Sequence, residues 1–440
     1  MSSSSSWFDN SRIQVAPSRV AVLAAIISAV ATACVQSAGQ KTKTSPQPVQ
    51  VALSNQHQVI SGFGASSAWT APSLTDAEAD QFFSPDMGIG LSLLRVRIAP
   101  DLTTELATAQ SAAARGVSVW AAPWSPPAAF KDNNSTSNGG SLLAADAQAW
   151  ASQLAGFVTN MAAAGVPLAA LSAQNEPNFR TSAWDTCIYT ATQLVAFIRD
   201  NLGPALAAQG LTTPILAPET KDWTTFESFA DPILADAQAA AFVGILAAHD
   251  YGGSPFVYST AQAAGKQVWE TEVYDQTSKG SDPGIDSGLV VAQMIHDHLV
   301  YGEVNAWHYW WLKPRGDTDN GALADGDGQL TRRAYVVGNW SRFVRPGFVR
   351  VDATPSPQDF VSVSAFADPA SGRLVIVAIN SNTADTEQSF SISGSTVAAV
   401  TPWITSADLA LASTDPVAIA DAGFSFVLPK RSVTTFVGDP

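Results

Sequence analysis

The sequence has few of the residues that build metal centres and nucleic-acid-binding surfaces. Its 440 residues include two cysteines and five histidines, and no HExxH segment occurs, so we expect no metal site and no cofactor. Lysine and arginine number 23 against 38 acidic residues, which gives a formal charge of −15. Basic runs and glycine-rich phosphate-binding loops are also missing. This balance disfavours nucleic acids and anionic membranes as partners, because both require a basic surface.

An apolar run near the N-terminus, VAVLAAIISAVATA, follows Arg12 and Arg19. Its length of about fourteen residues is short for a membrane span but typical of a secretory signal. We interpret residues 1–33 as a signal peptide and residues 34–49 as a disordered tether, so the protein is expected to be secreted, periplasmic or at the cell surface. The segment ATAC also resembles a degenerate lipoprotein box. Simple export and a lipid anchor at Cys34 therefore both remain open.

Eight short apolar runs alternate with stretches of helical periodicity in the main part of the chain. The runs occupy residues 58–69, 90–100, 116–127, 167–177, 214–220, 242–252, 266–274 and 303–312. Eight strands alternating with helices over about 250 residues indicate parallel β/α units. We predict a closed (β/α)8 TIM barrel over residues 61–346. An open doubly wound sheet is the alternative, disfavoured because no dinucleotide-binding fingerprint is present.

Two of the intervening stretches carry recognisable helix ends. Apolar residues at helical spacing precede Gly165, which is placed to end the first helix. Thr190 and Gln193 have the spacing of a capping box at the start of the second helix. We expect Gly203 and Pro204 to end that helix.

The pattern changes after residue 346 to alternating strands separated by polar turns, with no segment of helical length. We predict an antiparallel β-sandwich domain over residues 347–440. Residues 50–60 are also strand-like and can join this sandwich, which would tie the two ends of the chain together.

Glutamates end two of the predicted barrel strands. Glu176 ends the fourth strand in SAQNEP, and Pro177 forces the chain out of the strand. Glu270 and Glu272 end the seventh strand in VWETEVY and share one face by two-residue alternation. Catalytic residues of these barrels lie at the carboxyl ends of the strands, and the fourth and seventh strands face each other across the mouth. Such a pair of carboxylates is what glycoside hydrolysis requires.

These glutamates belong to a series of motifs that resembles glycoside hydrolase family 30 over about residues 50–440. The motifs, in chain order, are GFGASSAW, LLRVRIAP, APWSPPAAFK, SAQNEP, VWETEVY, NAWHYWWL and VGNWSRFVRPGF. The resemblance implies a retaining hydrolase with a (β/α)8 barrel and a side β-sandwich. It further implies that Glu176 is the acid/base and Glu272 the nucleophile. Glu270 fills the variable position of the family's Trp-x-Thr-Glu signature and is the competitor for the nucleophile.

Four further residues are expected to serve the same site. The resemblance implies that Asn175 binds the sugar 2-hydroxyl. We predict that Arg97 keeps Glu272 ionised and that Tyr251 orients it through a hydrogen bond. His249 ends the sixth predicted strand and is expected to form hydrogen bonds rather than bind a metal.

Tryptophan is unusually frequent, with 13 residues, and flat aromatic faces suit the apolar faces of sugar rings. Trp124, Trp307 and Trp310 are candidate substrate platforms, as is Trp311. Each of them fits equally well as a core or rim residue, although one aromatic residue at the barrel mouth is expected.

The substrate is less clearly indicated. The continuation after SAQNEP, with Asn178, Cys187, Tyr189 and Thr190, is most similar to the bacterial endo-xylanase and glucuronoxylanase branch of the family. We therefore expect a monomeric retaining endo-β-1,4-xylanase acting on glucuronoxylan or arabinoxylan. Endo-β-1,6-glucanase, endo-β-1,6-galactanase and exo-β-glycosidase activities remain alternatives, and so does an inactive carbohydrate-binding protein.

Two cations follow the eighth predicted strand in WWLKPRGDTDNG. Lys313 and Arg315 could bind the carboxylate of a glucuronate side group. Alternatively, they pair with Asp317, Asp319 or Asp325 and hold the loop together. We favour the second interpretation, because three nearby carboxylates balance the two cations.

Overall fold

The computed structural model describes residues 46–277, 282–314 and 321–440. The predicted signal peptide, Cys34 and most of the predicted tether lie outside these ranges. The first described element is strand β1 (Val49–Val59). None of the helices described is both long enough and apolar enough to cross a membrane.

Eight parallel strands close into a barrel, in which each strand pairs with its neighbours in the chain and the last pairs with the first. These strands are β2 (Gly62–Ser66), β3 (Leu93–Ile98), β4 (Ser118–Pro123), β5 (Leu168–Ser172), β6 (Ile215–Leu216), β7 (Val243–Ala248), β8 (Gln267–Glu270) and β9 (Ala306–Trp311). Each falls within one of the eight apolar runs of the sequence. Pairing of β9 with β2 closes the barrel and excludes the open sheet, so the predicted barrel is confirmed.

Helices connect the strands. They are α1 (Asp76–Phe83), α2 (Leu106–Ala113), α3 (Ala147–Ala163), α4 (Ala191–Phe197), α5 (Gly203–Ala208), α6 (Trp223–Ala235), α7 (Ala237–Phe242), α8 (Ser259–Ala263), α9 (Ile285–Val300) and α10 (Arg332–Ser341). Gly165 follows α3 with φ of +83°, a left-handed conformation that glycine adopts without strain. Thr190 and Gln193 form the predicted capping box at the start of α4.

The prediction that Gly203 and Pro204 end the second helix is wrong. A π-helical turn, Ile198–Leu202, joins α4 to α5, which begins at Gly203 and continues to Ala208. Proline has no N–H, but Pro204 falls in the first turn of α5, where that donor is not needed. The π turn before it has a wider spacing of hydrogen bonds than an α-helix. This change of spacing accommodates the proline, and the chain continues as a helix.

Side chains of unequal size fill the barrel interior and support the site above them. The interior cluster combines Trp120, Trp124 and Trp269 with alanines from the other strands. Trp120 Nε1 donates a hydrogen bond to His308 Nε2 at 3.0 Å. The guanidinium of Arg95 lies over the rings of Trp120 and Trp124, at 5.3 and 4.4 Å from their centroids. The aromatic layer thus fixes the depth at which this buried cation lies.

The second domain is a curled ten-stranded sheet. Its other strands are β10 (Val349–Ala353), β11 (Val361–Ala367), β12 (Leu374–Asn380), β13 (Thr386–Ser393), β14 (Ala399–Thr405), β15 (Ala412–Ser413), β16 (Val417–Ala418), β17 (Gly423–Leu428) and β18 (Ser432–Gly438). The order is β15-β14-β18-β12-β11-β10-β1-β13-β17, with β16 beside β14. Strand β1 pairs antiparallel with β10 and parallel with β13, and the other pairs are antiparallel. The predicted sandwich is confirmed, and the strand near the N-terminus is part of it.

Hydrogen bonds as well as apolar packing join helix α10 to the sandwich. Asn339 on α10 is fully buried, and its amide donates to the carbonyls of Trp403 and Val433 and to Thr435 Oγ1. The Thr435 hydroxyl donates in return to the backbone carbonyl of Asn339 at 2.7 Å. One buried amide therefore holds strands β14 and β18 against the barrel.

Replacing Asn339 by alanine should destabilise the protein by about 2–3 kcal/mol, because buried acceptors lose their donor and a small void remains. Urea unfolding followed by tryptophan fluorescence measures the change. Asn160→Ala is the matched control, since Asn160 is an exposed asparagine on helix α3, and its loss should change stability by less than about 0.5 kcal/mol. Equal stability of the two variants would show that the Asn339 contacts do not hold the domains together.

Candidate active site

A cleft of about 740 Å³ opens at the carboxyl ends of the barrel strands. Polar and aromatic side chains share its lining, among them Trp69, Trp124, Glu176, Tyr251, Glu272 and Trp310. The two predicted catalytic glutamates therefore lie in one cleft, at the end of the barrel where the sequence placed them.

Glu176 lies beyond the carboxyl end of β5. Its backbone is in the left-handed region, with φ of +45°, which a residue other than glycine adopts only where its surroundings hold it. Its N–H donates to the carbonyl of Glu219 at 3.0 Å. The N–H of Asn175 donates to the carbonyl of Pro123 at 2.9 Å. These bonds to neighbouring segments hold the Glu176 side chain, which is 4% exposed, in the wall of the cleft.

Glu272 lies two residues beyond β8, and both of its carboxylate oxygens accept hydrogen bonds. The Tyr251 hydroxyl donates to Oε1 at 2.8 Å, and Arg95 Nη1 donates to Oε2 at 2.5 Å. Arg95 Nη2 also donates to Oδ1 of Asn175 at 2.5 Å. The predicted contact between Tyr251 and Glu272 is thus present, and Asn175 is bound to the same arginine.

The two glutamates are close enough to act on one bond. A carboxylate oxygen of Glu176, one of Glu272 and a ring nitrogen of His249 all lie within 4.8 Å of one another. Retaining glycosidases have carboxyl groups about 5–5.5 Å apart, whereas inverting enzymes need about 6.5–9.5 Å to admit a water molecule. An oxygen–oxygen distance of at most 4.8 Å agrees with the shorter, retaining separation.

Burial and charge give the groups of the site different protonation states. Burial raises the pKa of Glu176, and the negative charge of Glu272 acts in the same direction, while His249 opposes them. Burial alone would lower the pKa of His249, but the carboxylates of Glu272, Glu176 and Glu219 overcome it and raise that pKa to about 10. Burial thus favours the acid form of Glu176, while the neighbouring carboxylates favour the imidazolium form of His249.

Glu176, His249 and Glu272 are also the one group in the described ranges that could together ligate a metal ion. Their charges disfavour a cation, however. His249 must lose its proton to become a ligand, which its pKa of about 10 opposes. The Glu272 carboxylate is already paired with the Arg95 guanidinium. The arrangement suits acid–base chemistry better than metal binding.

Glu270, the competitor for the nucleophile, lies deeper than Glu272. It is fully buried, and its two oxygens accept hydrogen bonds from the backbone N–H groups of Glu272 and His308 at 2.8 and 2.9 Å. Burial raises the pKa of Glu270 well above its usual range. The side chain belongs to the packing between β8 and β9 and is not part of the cleft wall.

Aromatic rings form much of the cleft wall. Trp69, Trp124 and Trp310 lie 5.5 to 6.3 Å apart, measured between ring centroids, and Trp311 adjoins them. Trp307 does not belong to this wall, and the prediction that it binds substrate is wrong. It is fully buried in the cluster outside the barrel, because β9 turns alternate residues inward and outward.

The role predicted for Arg97 belongs to Arg95. Arg97 pairs with Asp185 at 3.1 Å and lies over the ring of Trp69 at 4.8 Å, so it supports the cleft rim and does not contact Glu272. Both arginines point to the same side of β3. Arg95 lies two residues before Arg97 in the strand and therefore deeper in the barrel. The signal that could have identified Arg95 is its position within an apolar strand, where a buried cation requires carboxylate partners.

Glu219 was not predicted either. It follows β6 in the segment APET, is fully buried and forms an ion pair with Arg95 at 2.6 Å. The signal was present in the sequence, because Glu219 is a carboxylate at the end of a barrel strand, as are Glu176 and Glu272.

The loop after β9 differs in part from its prediction. Lys313 pairs with Glu78, a carboxylate that the prediction did not include. Asp325 accepts hydrogen bonds from the backbone of its own turn. Arg315, Asp317 and Asp319 lie outside the described residues.

Comparisons with known proteins agree with this architecture. The family model described as the glycosyl hydrolase family 30 TIM-barrel domain matches residues 101–263. The model described as the glycosyl hydrolase family 30 beta sandwich domain matches residues 347–436.

Similar proteins align along nearly the whole chain. Glucuronoxylanase XynC of Bacillus subtilis is 34% identical over 404 residues, which cover 88% of this chain and 91% of that protein. The solved structure of the family 30 subfamily 8 xylanase Xyn30A from Clostridium acetobutylicum superposes with a TM-score of 0.81 at 37% identity, covering 89% of this chain and all of that one. A family 30 endoxylanase from Clostridium papyrosolvens C71 superposes with a TM-score of 0.78 at 33% identity, with the same coverage of both chains.

Both domains match their family models, and relatives more than 30% identical cover most of the chain. The protein therefore belongs to glycoside hydrolase family 30.

Proposed function

We propose that this protein is a retaining endo-β-1,4-xylanase acting on glucuronoxylan or arabinoxylan, with Glu176 as acid/base and Glu272 as nucleophile. The observation that carries the proposal is the pair of carboxylates with oxygens within 4.8 Å in a tryptophan-lined cleft. The similarity to a glucuronoxylanase and to two xylanases supports the choice of substrate.

In the first step, a carboxylate oxygen of Glu272 attacks the anomeric carbon while Glu176 donates its proton to the departing glycosidic oxygen. The bond to the leaving sugar breaks, and a covalent glycosyl–enzyme ester forms. The burial that raises the pKa of Glu176 supplies the protonated acid. Tyr251 and Arg95 hold the Glu272 carboxylate in place for attack.

In the second step, Glu176 is a carboxylate and removes a proton from a water molecule, which attacks the anomeric carbon and releases Glu272. His249 serves this step, because its positive charge next to Glu176 stabilises the ionised form. Since Arg95 binds the amide oxygen of Asn175, the amide nitrogen is left to bind the sugar 2-hydroxyl.

The location of the protein is a separate part of the proposal. We propose that residues 1–33 direct export and that the mature enzyme acts outside the cytoplasm as a monomer, free or anchored through a lipid on Cys34. The apolar run after Arg19 supports export.

Replacing Glu272 by alanine should abolish xylan hydrolysis, lowering kcat by about four orders of magnitude or more, because the covalent intermediate cannot form. Added azide should restore turnover and yield a glycosyl azide of inverted configuration. The matched control is Glu270→Gln, which keeps the shape of the neighbouring carboxylate and should retain the nucleophile. A dead Glu270→Gln variant beside an active Glu272→Ala variant would contradict the assignment.

The first product released from xylan should keep the β configuration, because two displacements at the anomeric carbon restore it. Proton NMR within the first minutes of the reaction, before mutarotation, reads the anomeric signal. Initial release of the α anomer would exclude a covalent intermediate on Glu272.

Activity on xylan should fall as the pH rises through the pKa of Glu176, because the acid form is needed and burial raises that pKa. Replacing His249 by glutamine should move this basic limb to higher pH by about half to one unit, since the cation that stabilises the Glu176 carboxylate is lost. The pH profile of kcat/KM measures the shift.

The control for this measurement is His308→Gln. Burial lowers the pKa of His308 to about 3, so this neighbouring histidine is neutral and its loss should leave the limb in place. If the basic limb of the His249→Gln pH profile stays in place or shifts to lower pH, the role given to His249 is contradicted.

A further inference from the structure

One buried carboxylate of the site has no place in the mechanism above. Glu219 is fully buried at the end of β6 and does not line the cleft. Its φ is +57°, in the left-handed region that residues other than glycine seldom adopt. Backbone of this kind persists where the surrounding contacts hold it, and it is common at functional sites.

Glu219 contacts the two cations of the site. Its Oε1 accepts a hydrogen bond from Arg95 Nη2 at 2.6 Å and lies 3.4 Å from Nε2 of His249. Its Oε2 accepts a hydrogen bond from the hydroxyl of Ser172. Its backbone carbonyl accepts the N–H of Glu176.

Both cations also contact the carboxylate pair. Arg95 Nη1 donates to Glu272, while His249 Nδ1 lies 3.3 Å from Glu176 Oε1 and His249 Nε2 lies 3.8 Å from Glu272 Oε2. The Glu219 side chain therefore contacts both the arginine that binds the nucleophile and the histidine that contacts the acid/base.

The fully buried charges of the site balance only if Glu219 is counted; Lys221, at the cleft wall, is partly exposed to water. Arg95 and imidazolium His249 carry two positive charges, while Glu272 carries one negative charge and Glu176 must be neutral to act as an acid. Buried charges without partners are costly, so the second cation requires another anion. Burial acts to raise the pKa of Glu219, but Arg95, His249 and Ser172 hold it below its usual value, so Glu219 is that anion.

We propose that Glu219 is a positioning residue of the hydrolysis: its carboxylate holds Arg95 against Glu272 and His249 against Glu176 and balances their charge. The proposal rests on the function proposed above. Because Glu219 does not contact the cleft, its loss should change the reaction step rather than substrate binding.

The groups that face this carboxylate come from several elements around the barrel. They are Arg95 on β3, Glu176 after β5, His249 after β7, Glu272 after β8 and the neutral His308 on β9, and Lys221 after β6 acts on Glu176 as a further cation. Removing the Glu219 charge leaves an excess positive charge beside Glu176. Glu176 should then lose its proton at lower pH, while His249 keeps its proton because the Glu272 carboxylate still faces it.

The test is kcat, KM and the pH profile of kcat/KM on glucuronoxylan for Glu219→Gln, which keeps the side-chain shape and removes the charge. We expect kcat to fall by about 30- to 100-fold, KM to change by less than about threefold, and the basic limb to move about one pH unit lower. Glu219→Asp retains the charge and should return the limb to its wild-type position even where kcat recovers only in part.

Glu303→Gln is the control, because Glu303 shares the left-handed backbone and the arginine and histidine partners of Glu219, although its side chain is partly exposed. It has φ of +48° and contacts one arginine and one histidine, Arg350 and His57, at 2.9 and 2.8 Å. It lies before β9, at the other end of the barrel. Its loss should leave kcat and the pH profile unchanged.

Two results would overturn the proposal. The first is a kcat of the Glu219→Gln variant within threefold of wild type. The second is a lower kcat of Glu219→Gln with no shift of the basic limb, so that Glu219→Gln, Glu219→Asp and wild type all share one limb. Thermal unfolding shows whether Glu219→Gln folds. If it does not, Ser172→Ala is the second variant, because it removes one donor to Glu219; it should lower kcat by about three- to tenfold at unchanged KM, and an unchanged kcat would also count against the proposal.

Failure of the proposed function is distinct, because the wild-type protein would then not hydrolyse xylan at all.

Discussion

The site depends on one buried guanidinium. Arg95 lies over the indole rings of Trp120 and Trp124 and donates to Glu272, Asn175 and Glu219. Arginine suits this place because its charge is permanent and its planar fork offers several donors at fixed angles. A cation without water around it must be matched by carboxylates, so Arg95 determines where they lie. The indole layer in turn determines how deep the arginine lies.

The barrel fold brings the partners of Arg95, which lie in distant segments of the chain, to one place. The partners of Arg95 come from the ends of β5, β6 and β8, and in a closed barrel those ends surround a single mouth. The tryptophans of the cleft lie beside the two glutamates, and their flat faces suit the apolar faces of sugar rings. The sandwich takes no part in the cleft described, and its contacts with α10 hold the barrel from the side.

Much of this could be predicted from the sequence, because strand ends carry strong signals. Eight apolar runs predicted the barrel strands, and Glu176 and Glu272 were identified by their position at strand ends within specific motifs. Arg97 was chosen over Arg95 because alternation gives the face of a strand but not the depth at which a long side chain finds its partners. Trp307 was misplaced because a run of aromatic residues obscures which of them face inward. The role of Glu219 could not be predicted, because it depends on two cations that are distant from it in the chain.

The central claim is that Glu272 is the nucleophile that Arg95 and Tyr251 hold in place. Trapping with an activated 2-deoxy-2-fluoro-β-xylobioside tests it most directly, since the fluorine slows hydrolysis of the ester and the covalent intermediate accumulates. Peptide mass spectrometry of the trapped enzyme locates the label. The account predicts a single fluoroxylobiosyl group on Glu272, and a label on Glu270 or on Glu219 would contradict it.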